Sequence, residues 1–298
     1  MIRRLALAWL ALVALAALAA ELLASDRAIV ASLGGELRWR PPAPRAAFTA
    51  DDWGLWPPIA YDPIAVRTAG ELTPLAPPSA AHHLGTDDRG RDVAARLIHG
   101  ARTSATLAAV ATALATALAL GLGVALARAG TTARALGGAA VDALASAPAL
   151  LVALAAGALL GAHAAWALGL LVAVPRGADT ARLVAARLEV ELAAPHVEAA
   201  RALGASPLSI LLRHALPAVR PVVGAAAAIT AATAVLSEAA LSFLGLGPPP
   251  PTPSWGELLA QATQHDLRAW LSIPAGLAVT LTAAALFALA LAPARASR

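Results

Sequence analysis

The sequence predicts an all-α membrane protein that crosses the bilayer several times. Of its 298 residues, 59% are apolar and only 13% are charged, whereas an ordinary soluble domain has roughly 25% charged residues. The mean hydropathy is +0.70, and apolar runs of about 20 residues, the length of a spanning helix, recur along the chain. A soluble, secreted or disordered protein is therefore excluded, because a soluble globule of this size could not cover its surface with polar groups.

Six apolar runs predict six transmembrane helices. The predicted spans are residues 1–24, 105–127, 140–161, 165–186, 221–243 and 270–291. Residues 143–175 are almost entirely apolar and too long for one crossing at about 1.5 Å per residue. We therefore interpret Gly157, Gly161 and His163 as marking a hairpin between two spans.

The same runs define the predicted domains. Residues 1–24 form an N-terminal anchor helix, 25–100 an aqueous segment, 101–292 a five-helix membrane domain and 293–298 a tail. The aqueous segment holds nine of the 18 acidic residues and is too interrupted by proline for a large core. A signal peptide with a small-residue cleavage site at residues 17–19 is the alternative for the anchor. The apolar run continues to Ala24, which favours a retained helix.

Arginine placement predicts the orientation. With the N-terminus in the cytoplasm, the short inner segments hold eleven arginines and the short outer segments hold Arg268 alone. By the positive-inside rule, both termini and the loop at residues 187–220 are expected in the cytoplasm. The protein is expected to be a multi-pass protein of the inner or plasma membrane. Residues 25–100 are then expected on the outside.

Two missing residue types exclude several chemistries. All 22 basic residues are arginine, so the chain has no Walker A lysine and no Schiff-base lysine. It also has no cysteine, which excludes thiol nucleophiles, disulfides and cysteine-based metal sites. The arginines are scattered between apolar runs, whereas nucleic-acid binding requires a clustered basic patch. We expect no enzymatic activity in this chain, no nucleic-acid partner and no cofactor.

The longest inner loop is predicted to fold as two short helices. Pro195 suits a first helical turn, Glu198 favours the positive end of a helix and Gly204 fits a C-terminal cap. Ser206 and Pro207 are typical of the N-cap and first position of a second helix. The first helix aligns Val197, Ala200 and Leu203, and the second aligns Leu208, Leu211 and Leu212. Such a helical hairpin suits a groove in another protein or, equally, the lipid surface.

Three motifs carry a family resemblance. Glu198-Ala-Ala with Gly204 and Leu216-Pro217 resembles the EAA loop of permease subunits of binding-protein-dependent ABC importers. A second block runs from His83 to Val93 as His-Leu-Gly-Thr-Asp-Asp-Arg-Gly-Arg-Asp-Val. A third runs from Glu238 to Gly247 and continues to Gly256. Together they are similar to the second permease subunit of the dipeptide, oligopeptide and nickel importers, across most of residues 60–292.

The resemblance implies a type I ABC importer permease fold and a set of partners. Two such permeases form a pore, two cytoplasmic ATPases each grip one EAA loop, and a periplasmic or lipid-anchored binding protein delivers the solute. The implied ATPase-coupling residues lie in the EAA loop, which we define as residues 193–217: Glu198, Ala199, Ala200, Arg201, Gly204, Leu216 and Pro217. The sequence departs from the family pattern at His196, His214 and Ala218, which leaves the Glu and Gly intact.

The second block, which we call the GTD motif (residues 83–92), has two interpretations. Its matching residues are His83, Gly85, Thr86, Asp87, Gly90, Arg91 and Asp92. With His82, Asp88 and His99 they offer imidazole and carboxylate groups for a zinc or nickel site. In the structural interpretation, which we favour, Asp87 or Asp88 caps a helix lying against the membrane surface and Gly90 and Gly100 set its turns. We therefore assign no metal site.

Three ionisable residues inside predicted spans are candidates for the transport pathway. Arg176 and Asp179 lie at i and i+3 on one helix face and can pair. They either line the pathway or lie near the inner interface, where the arginine extends toward water; we favour the second interpretation. Glu238 is expected near the outer end of the fifth span.

The proline and tryptophan residues near the C-terminal third have plainer interpretations. The run Pro248–Pro251 is expected to form a stiff outer elbow that touches the partner permease or the binding protein, rather than a ligand for an SH3-like module. Trp255 and Trp270 are interpreted as anchors at the membrane interface.

The predicted function is half of the pore of an ABC importer for peptides. One alternative imports nickel or a chelated metal through the same architecture. An ion-coupled secondary transporter would need acidic residues in the middle of its spans, of which this chain offers few. A membrane scaffold without transport would need neither the EAA loop nor the pair Arg176 and Asp179.

Overall fold

The structure is a computed structural model that describes residues 1–41, 48–49, 52–64, 73–146 and 165–291. Helices dominate the described residues, as predicted. Their bounds are α1 Ile2–Leu18, α2 Ala20–Leu23, α3 Val93–Arg128, α4 Thr131–Ser146, α5 Ala165–Leu192, α6 Pro195–Ala202, α7 Pro207–Ile210, α8 Leu216–Phe243, α9 Trp255–Gln264 and α10 Ala269–Ala290. The predicted hairpin at Gly157, Gly161 and His163 lies outside the described residues.

Three stretches of helix in the described part of the chain are long and apolar enough to cross a membrane. They are Val93–Arg128, Pro207–Phe243 and Ala269–Ala290, and they contain the predicted second, fifth and sixth spans. The last of them agrees with its predicted bounds to within one residue. The other two begin well before their predicted starts at 105 and 221, because adjoining polar residues continue the same helix.

The chain forms two compact units, and each is described by itself. The first contains Met1–Leu7, Leu107–Ser237 and Ala283–Arg298, and the second contains Ala8–Thr106 and Glu238–Thr282. The core of the first unit consists mainly of small and branched side chains from α3, α5 and α8, among them Val184, Leu188 and Val219. The core of the second includes Val93, Leu258 and Leu271.

Glycine allows close helix packing in the first unit. A Cβ atom built on Gly123 of α3 would lie 2.6 Å from Val184 Cγ1 of α5, and one on Gly177 of α5 would lie 2.8 Å from Leu118 Cδ2 of α3.

Two ion pairs join α4 to α5: Arg134 to Glu189 at 3.0 Å and Arg182 to Asp142 at 2.6 Å. Each helix thus supplies one cation and one anion, a pattern that selects one alignment of the pair.

A small antiparallel sheet lies in the second unit, within the predicted aqueous segment. Its strands are β1 Val30–Leu33, β2 Glu36–Trp39 and β3 Trp53–Leu55, in the order β2-β1-β3. A turn through Gly34 and Gly35, both with positive φ, joins β1 to β2. Glycine suits this turn because it adopts positive φ without steric cost.

The end of the N-terminal helix region is tied to α3 within the second unit. Arg102 Nε donates to the carbonyl of Ala17 at 3.0 Å, and the His99 ring lies 2.8 Å from the carbonyl of Ala24. Trp9 Nε1 donates to Thr282 Oγ1 of α10 at 3.0 Å. The polar side chains at the start of α3 therefore bond to protein groups, which explains why this helix extends beyond the predicted apolar span.

Candidate functional site

The EAA loop begins with the predicted capped helix. Ala194 is extended and Pro195 occupies the first turn of α6, as the sequence predicted. At the other end, Gly204 has φ +85°, and its N–H donates to the carbonyl of Arg201 at 3.0 Å. The N–H of Ala205 donates to the carbonyl of Ala200 at 3.0 Å. These two bonds form a Schellman motif, which requires a left-handed residue at position 204.

The second helix of the loop starts as predicted and then differs. Ser206 is the N-cap and its hydroxyl accepts the N–H of Ser209 at 3.3 Å, with Pro207 in the first position. The helix does not stop before the next span, however. It passes through a π-helical turn at Leu211–Ala215 directly into α8, so the predicted separate short helix is the start of a stretch that reaches Phe243.

Burial on the EAA loop differs from the predicted apolar faces. Val197, Ile210 and Leu211 are buried in the first unit, and Leu216 and Pro217 are half-buried where α8 begins. The sequence predicted Leu203 on the same face as Val197, and Leu208 and Leu212 on the same face as Leu211. All three leucines are exposed. Leu203 lies after the end of α6, at its C-cap, and Leu208 and Leu212 lie on the following helix. Exposed apolar side chains on a loop indicate a surface that another molecule covers.

The charged residues of α6 share the exposed surface. Glu198, Ala199 and Arg201 are exposed, and Ala200 is half-buried. Glu198 lies in the first helical turn, where its carboxylate meets the positive end of the helix dipole. The two histidines that depart from the family pattern are close together: the rings of His196 and His214 have centroids 6.0 Å apart, and His196 Nε2 lies 3.2 Å from Glu191 Oε1.

The GTD motif folds as a tight buried turn ahead of α3. Gly85 and Gly90 have φ +69° and +77°. A Cβ on Gly85 would lie 2.5 Å from the carbonyl oxygen of Ala76, so no other residue fits there. Thr86 Oγ1 donates to the carbonyl of Thr73 at 2.6 Å and accepts the N–H of Ala76 at 2.8 Å. The motif is thereby fastened to the strand-like segment before it.

Two arginines and two acids form a buried ionic network behind this turn. Asp87 Oδ2 lies 2.7 Å from Arg91 Nε and 3.3 Å from Arg96 Nε, and all three side chains are buried. Glu257 of α9 bonds to Arg96 and lies 3.4 Å from Arg91. Each buried charge thus has opposite partners, which offsets the large cost of removing it from water. The network links the start of α3 to α9.

The helix cap predicted for Asp87 or Asp88 is made by another residue. Asp92 Oδ1 accepts the N–H of Ala95 at 2.7 Å, so Asp92 caps α3. Asp87 is instead held by the two arginines, a contact between residues that the linear sequence does not reveal. Gly100 was also misinterpreted: it lies inside α3, where a Cβ would come 2.9 Å from the Trp255 ring.

The groups considered as metal ligands pair with each other, bond to other protein groups or lie on the surface. His82 Nδ1 lies 2.9 Å from Asp92 Oδ2, His99 contacts the carbonyl of Ala24, and His83 is exposed. Within the described ranges, no cluster of three or more acidic or histidine residues could hold a metal ion.

Glu238 lies at the centre of a serine cluster in the second unit. Its carboxylate is fully buried and accepts hydrogen bonds from Ser104 of α3 at 3.2 Å and Ser242 of α8 at 2.8 Å. Ser254, the N-cap of α9, is also fully buried. This carboxyl group therefore links α3 to the C-terminal part of α8.

Arg176 and Asp179 lie on α5 in the first unit, half-exposed and exposed respectively. Their charged groups are 3.6 Å apart, as the i, i+3 spacing predicted. The Arg176 guanidinium donates to Thr233 Oγ1 of α8 at 3.3 Å. Thr233 lies thirteen positions after Arg220, about 20 Å along the helix. This position favours the pathway interpretation over the inner interface, and the choice between the two stays a prediction.

Several contacting residues were missed in the sequence. Arg96, Glu257, Ser104 and Thr233 were not singled out, because their partners are distant in the chain. The segment Ser254-Trp-Gly-Glu257 was readable as a capping signal, and Ser254 does accept the Glu257 N–H at 3.0 Å. Trp255 and Trp270 were interpreted as interface anchors.

The structure gives those two tryptophans a packing role. Trp255 is 2% exposed and donates to the carbonyl of Leu97 at 2.9 Å. Trp270 donates to the carbonyl of Thr86 at 3.2 Å. Both hold the start of α3 and the GTD motif in place. The peptide bond Pro250–Pro251, in the predicted elbow, is cis.

Three helices of spanning length and apolar composition among the described residues indicate a membrane protein. The chain belongs to the family of binding-protein-dependent transport system inner membrane components, whose model matches residues 103–296. It is thus a permease component of an ABC importer, as its motifs predicted.

Two relatives illustrate the family. The Dipeptide transport system permease protein DppC of Escherichia coli K12 is 40% identical over 219 residues, which are 70% of this chain and 71% of the relative. The Di/tripeptide transport system permease protein DppC of Pseudomonas aeruginosa is 37% identical over 230 residues, which are 71% and 72% of the two chains.

The fold is similar to that of a solved transporter. An inward-facing structure of the MetNI methionine ABC transporter matches with a TM-score of 0.54 and 21% identity, covering 64% of this chain and 91% of the other. This likeness supports the type I importer fold of the helical part.

Proposed function

We propose that this chain forms half of the translocation pore of an ABC importer for di- and oligopeptides. The observation that carries the proposal is the EAA loop: a Schellman-capped helix, fixed by Gly204, that presents exposed leucines beside Glu198 and Arg201. The names of the two relatives support peptides as the substrate class. A second candidate, import of nickel or a chelated metal, has no described metal cluster in its favour.

In this proposal the EAA loop receives the movement of a cytoplasmic ATPase. Leu203, Leu208 and Leu212 seat in an apolar groove, and Glu198 and Arg201 contact charges at its rim. Because α7 continues through the π-helical turn into α8, a displacement at the loop passes directly into a membrane-crossing helix. This continuity supports transmission without a flexible joint.

The proposal includes six spans, with both termini and the EAA loop in the cytoplasm. Helix α5 has 28 residues, about 42 Å, which is enough to cross the hydrocarbon. Helix α1 has 17 residues and continues almost directly into α2, which brings its length to about that of a spanning helix. The arginine bias supports the orientation. The partners are a second homologous permease, two ATPases and an external binding protein.

Arg176 and Asp179 are proposed to line the pathway, and Glu238 to hold the helices that frame it. An unburied charge at mid-membrane depth is too costly to face lipid. The half-exposed Arg176 bonds to Thr233, far from the ends of α8, which supports a water-filled pathway as its environment. A zwitterionic peptide matches a cation and an anion 3.6 Å apart.

The test is uptake by the complete transporter in vesicles. With its partner permease, ATPases and binding protein, we expect ATP-dependent accumulation of a labelled dipeptide that excess unlabelled dipeptide abolishes and excess Ni²⁺ leaves unchanged. ATP-dependent accumulation of labelled Ni²⁺ without accumulation of the dipeptide would instead establish the metal alternative. The purified chain alone is expected to show no ATP hydrolysis, since it has no lysine for a Walker A motif.

A further inference from the structure

Four large apolar side chains are exposed on the small sheet of the second unit. Leu37 and Trp39 of β2 are 70% and 67% exposed, and Trp53 and Leu55 of β3 are 57% and 58% exposed. We call these four residues the sheet patch. Exposed tryptophan and leucine side chains that adjoin one another are uncommon on a surface that meets only water.

The strand register places the sheet patch on a single face. Leu37 and Trp53 both pair with Ser32 of β1, so they lie in one row across the sheet. Trp39 and Leu55 both pair with Val30, two residues earlier on β1, and form the next row. Because side chains alternate along a strand, residues two apart point to the same side. The two rows therefore make one continuous apolar surface.

The opposite face of the sheet is already covered. Ala31 of β1 is fully buried, and its partner Gly54 has Phe48 and Ala28 at 3.1 and 3.2 Å from the position of a Cβ. The Phe48 ring packs against the Trp56 ring with centroids 4.9 Å apart. This face therefore packs against its own segment at β1 and β3 and is exposed at Arg38 of β2, and the other face is formed by the sheet patch.

Backbone contacts hold the sheet close to the level at which α3 enters the membrane. The N–H of Ser25 donates to the carbonyl of Ile59 at 3.0 Å, and the N–H of Ile59 donates to the carbonyl of Leu23 at 3.1 Å. Ala24 contacts His99, which precedes the apolar run of α3 at Ala105 by six residues, about 9 Å of helix. Leu55 is four residues from Ile59, at most about 13 Å.

We propose that the sheet patch lies in the interfacial layer of the lipid bilayer. That layer is about 5–8 Å thick on each side of the hydrocarbon. The two tethers, about 9 Å and at most about 13 Å long, leave the sheet free to reach it. Tryptophan prefers this layer because its ring is apolar and its N–H finds polar partners there. The tether to α3 and the two exposed tryptophans favour lipid over a protein as its occupant. The proposal rests on α3 spanning the membrane, and is independent of the transported solute.

The experiment uses the absence of cysteine from the chain. Leu37→Cys and Leu55→Cys report on the sheet patch, and Arg38→Cys, on the other face of β2, is the matched control. Each variant is assembled with its partner permease, labelled with a nitroxide and reconstituted into vesicles of phosphatidylethanolamine and phosphatidylglycerol. Accessibility to oxygen, which dissolves in lipid, is compared with accessibility to a water-soluble nickel chelate. The unmutated chain measures background labelling.

We expect higher oxygen than nickel-chelate accessibility at positions 37 and 55, and the reverse at position 38. Lipids brominated near the headgroup should quench the tryptophan fluorescence of the wild-type chain. This quenching should be weaker in the double variant Trp39→Phe, Trp53→Phe, which keeps the apolar surface. Water-like accessibility at 37 and 55 would overturn the proposal. Loss of accessibility to both reagents would also overturn it and would indicate that a protein covers the patch. That protein is the second permease if the loss is seen without the binding protein, and the binding protein if the loss appears only when it is added.

Discussion

Gly204 is the residue on which the shape of the EAA loop depends most directly. Its φ of +85° is needed for the two capping bonds, and nothing lies within 4 Å of the position of a Cβ. Substitution therefore acts through backbone conformation alone. We expect Gly204→Val to cost about 1–2 kcal/mol locally and to distort the loop. In the complete transporter, peptide uptake and co-purification of the ATPase should both fall, at unchanged membrane expression.

Two variants control this prediction. Gly35→Val introduces the same strain at φ +84°, also with nothing within 4 Å, but in the turn between β1 and β2; it should leave ATPase association intact. Gly204→Asn should be close to wild type, because asparagine tolerates the left-handed region. Normal uptake in Gly204→Val would contradict the coupling role of the loop.

Asp52 should make the sheet sensitive to acid. Hydrogen bonds from the Thr49 hydroxyl, the Thr49 N–H and the Gly34 N–H hold the pKa of this carboxyl below its usual value. Because the pKa of Asp52 is lower in the folded protein than in the unfolded chain, its ionised carboxyl stabilises the sheet at pH values above the ordinary pKa. This stabilisation is lost as the pH falls through the folded-state pKa. We expect amide protection at residues 30–39, measured by hydrogen exchange and corrected for intrinsic rates, to drop as pH falls below the ordinary aspartate pKa of about 4.

Asp52→Asn provides the comparison for the acid response. The amide cannot titrate and retains one acceptor oxygen, so protection should already be weaker at the higher pH and should change little on acidification. An equal drop in both proteins would show that another group controls the response.

At the scale of elements, α3 offers a matched pair of glycines two residues apart. A side chain at Gly123 would meet Val184 of α5 at 2.6 Å, whereas Gly121 is exposed and has nothing within 4 Å. We expect Gly123→Leu to lower the apparent melting temperature of the purified protein in detergent, by an overpacking cost of about 1–3 kcal/mol or more. Gly121→Leu should melt close to wild type. Equal melting of the two variants would contradict close packing of α3 on α5.

The ionic network between α3 and α9 allows a second paired comparison. Asp87 is fully buried between Arg91 and Arg96, and its removal leaves buried positive charge without a partner. We expect Asp87→Ala to cost about 3–5 kcal/mol and to expose residues 73–92 to added protease. The neighbouring Asp88, 3.6 Å from Arg91 and partly exposed, should matter far less in Asp88→Ala. Equal protease resistance would show that the network is dispensable.

For the whole molecule, the testable property is topology. We expect location-sensitive reporters inserted at Gly35 and at Gly204 to report opposite sides of the membrane, with Gly204 in the cytoplasm. Both sites are exposed turns in which an insertion disturbs little packing. Reporters on the same side would require a different number of spans between them.

Local signals in the sequence predicted the local structure well. The caps at Pro195, Gly204 and Ser206 were correct because they depend on contacts within a few residues. The bounds of the final helix agree with the predicted span because the helix begins directly after Arg268 and ends shortly before Pro293. The starts of α3 and α8 were placed too late, since hydropathy reports where lipid begins and not where a helix begins.

By itself, then, the sequence determined that this is a helical membrane protein, that it carries a capped EAA loop and which family it resembles. All of these follow from composition, short-range capping and motif spacing. Only the tertiary structure decided that Arg96 pairs with Asp87 and Glu257, that Arg176 contacts Thr233 and that four apolar residues share one face of a sheet. Those contacts join residues that are close only in the folded chain, so their energies have no signature in local periodicity.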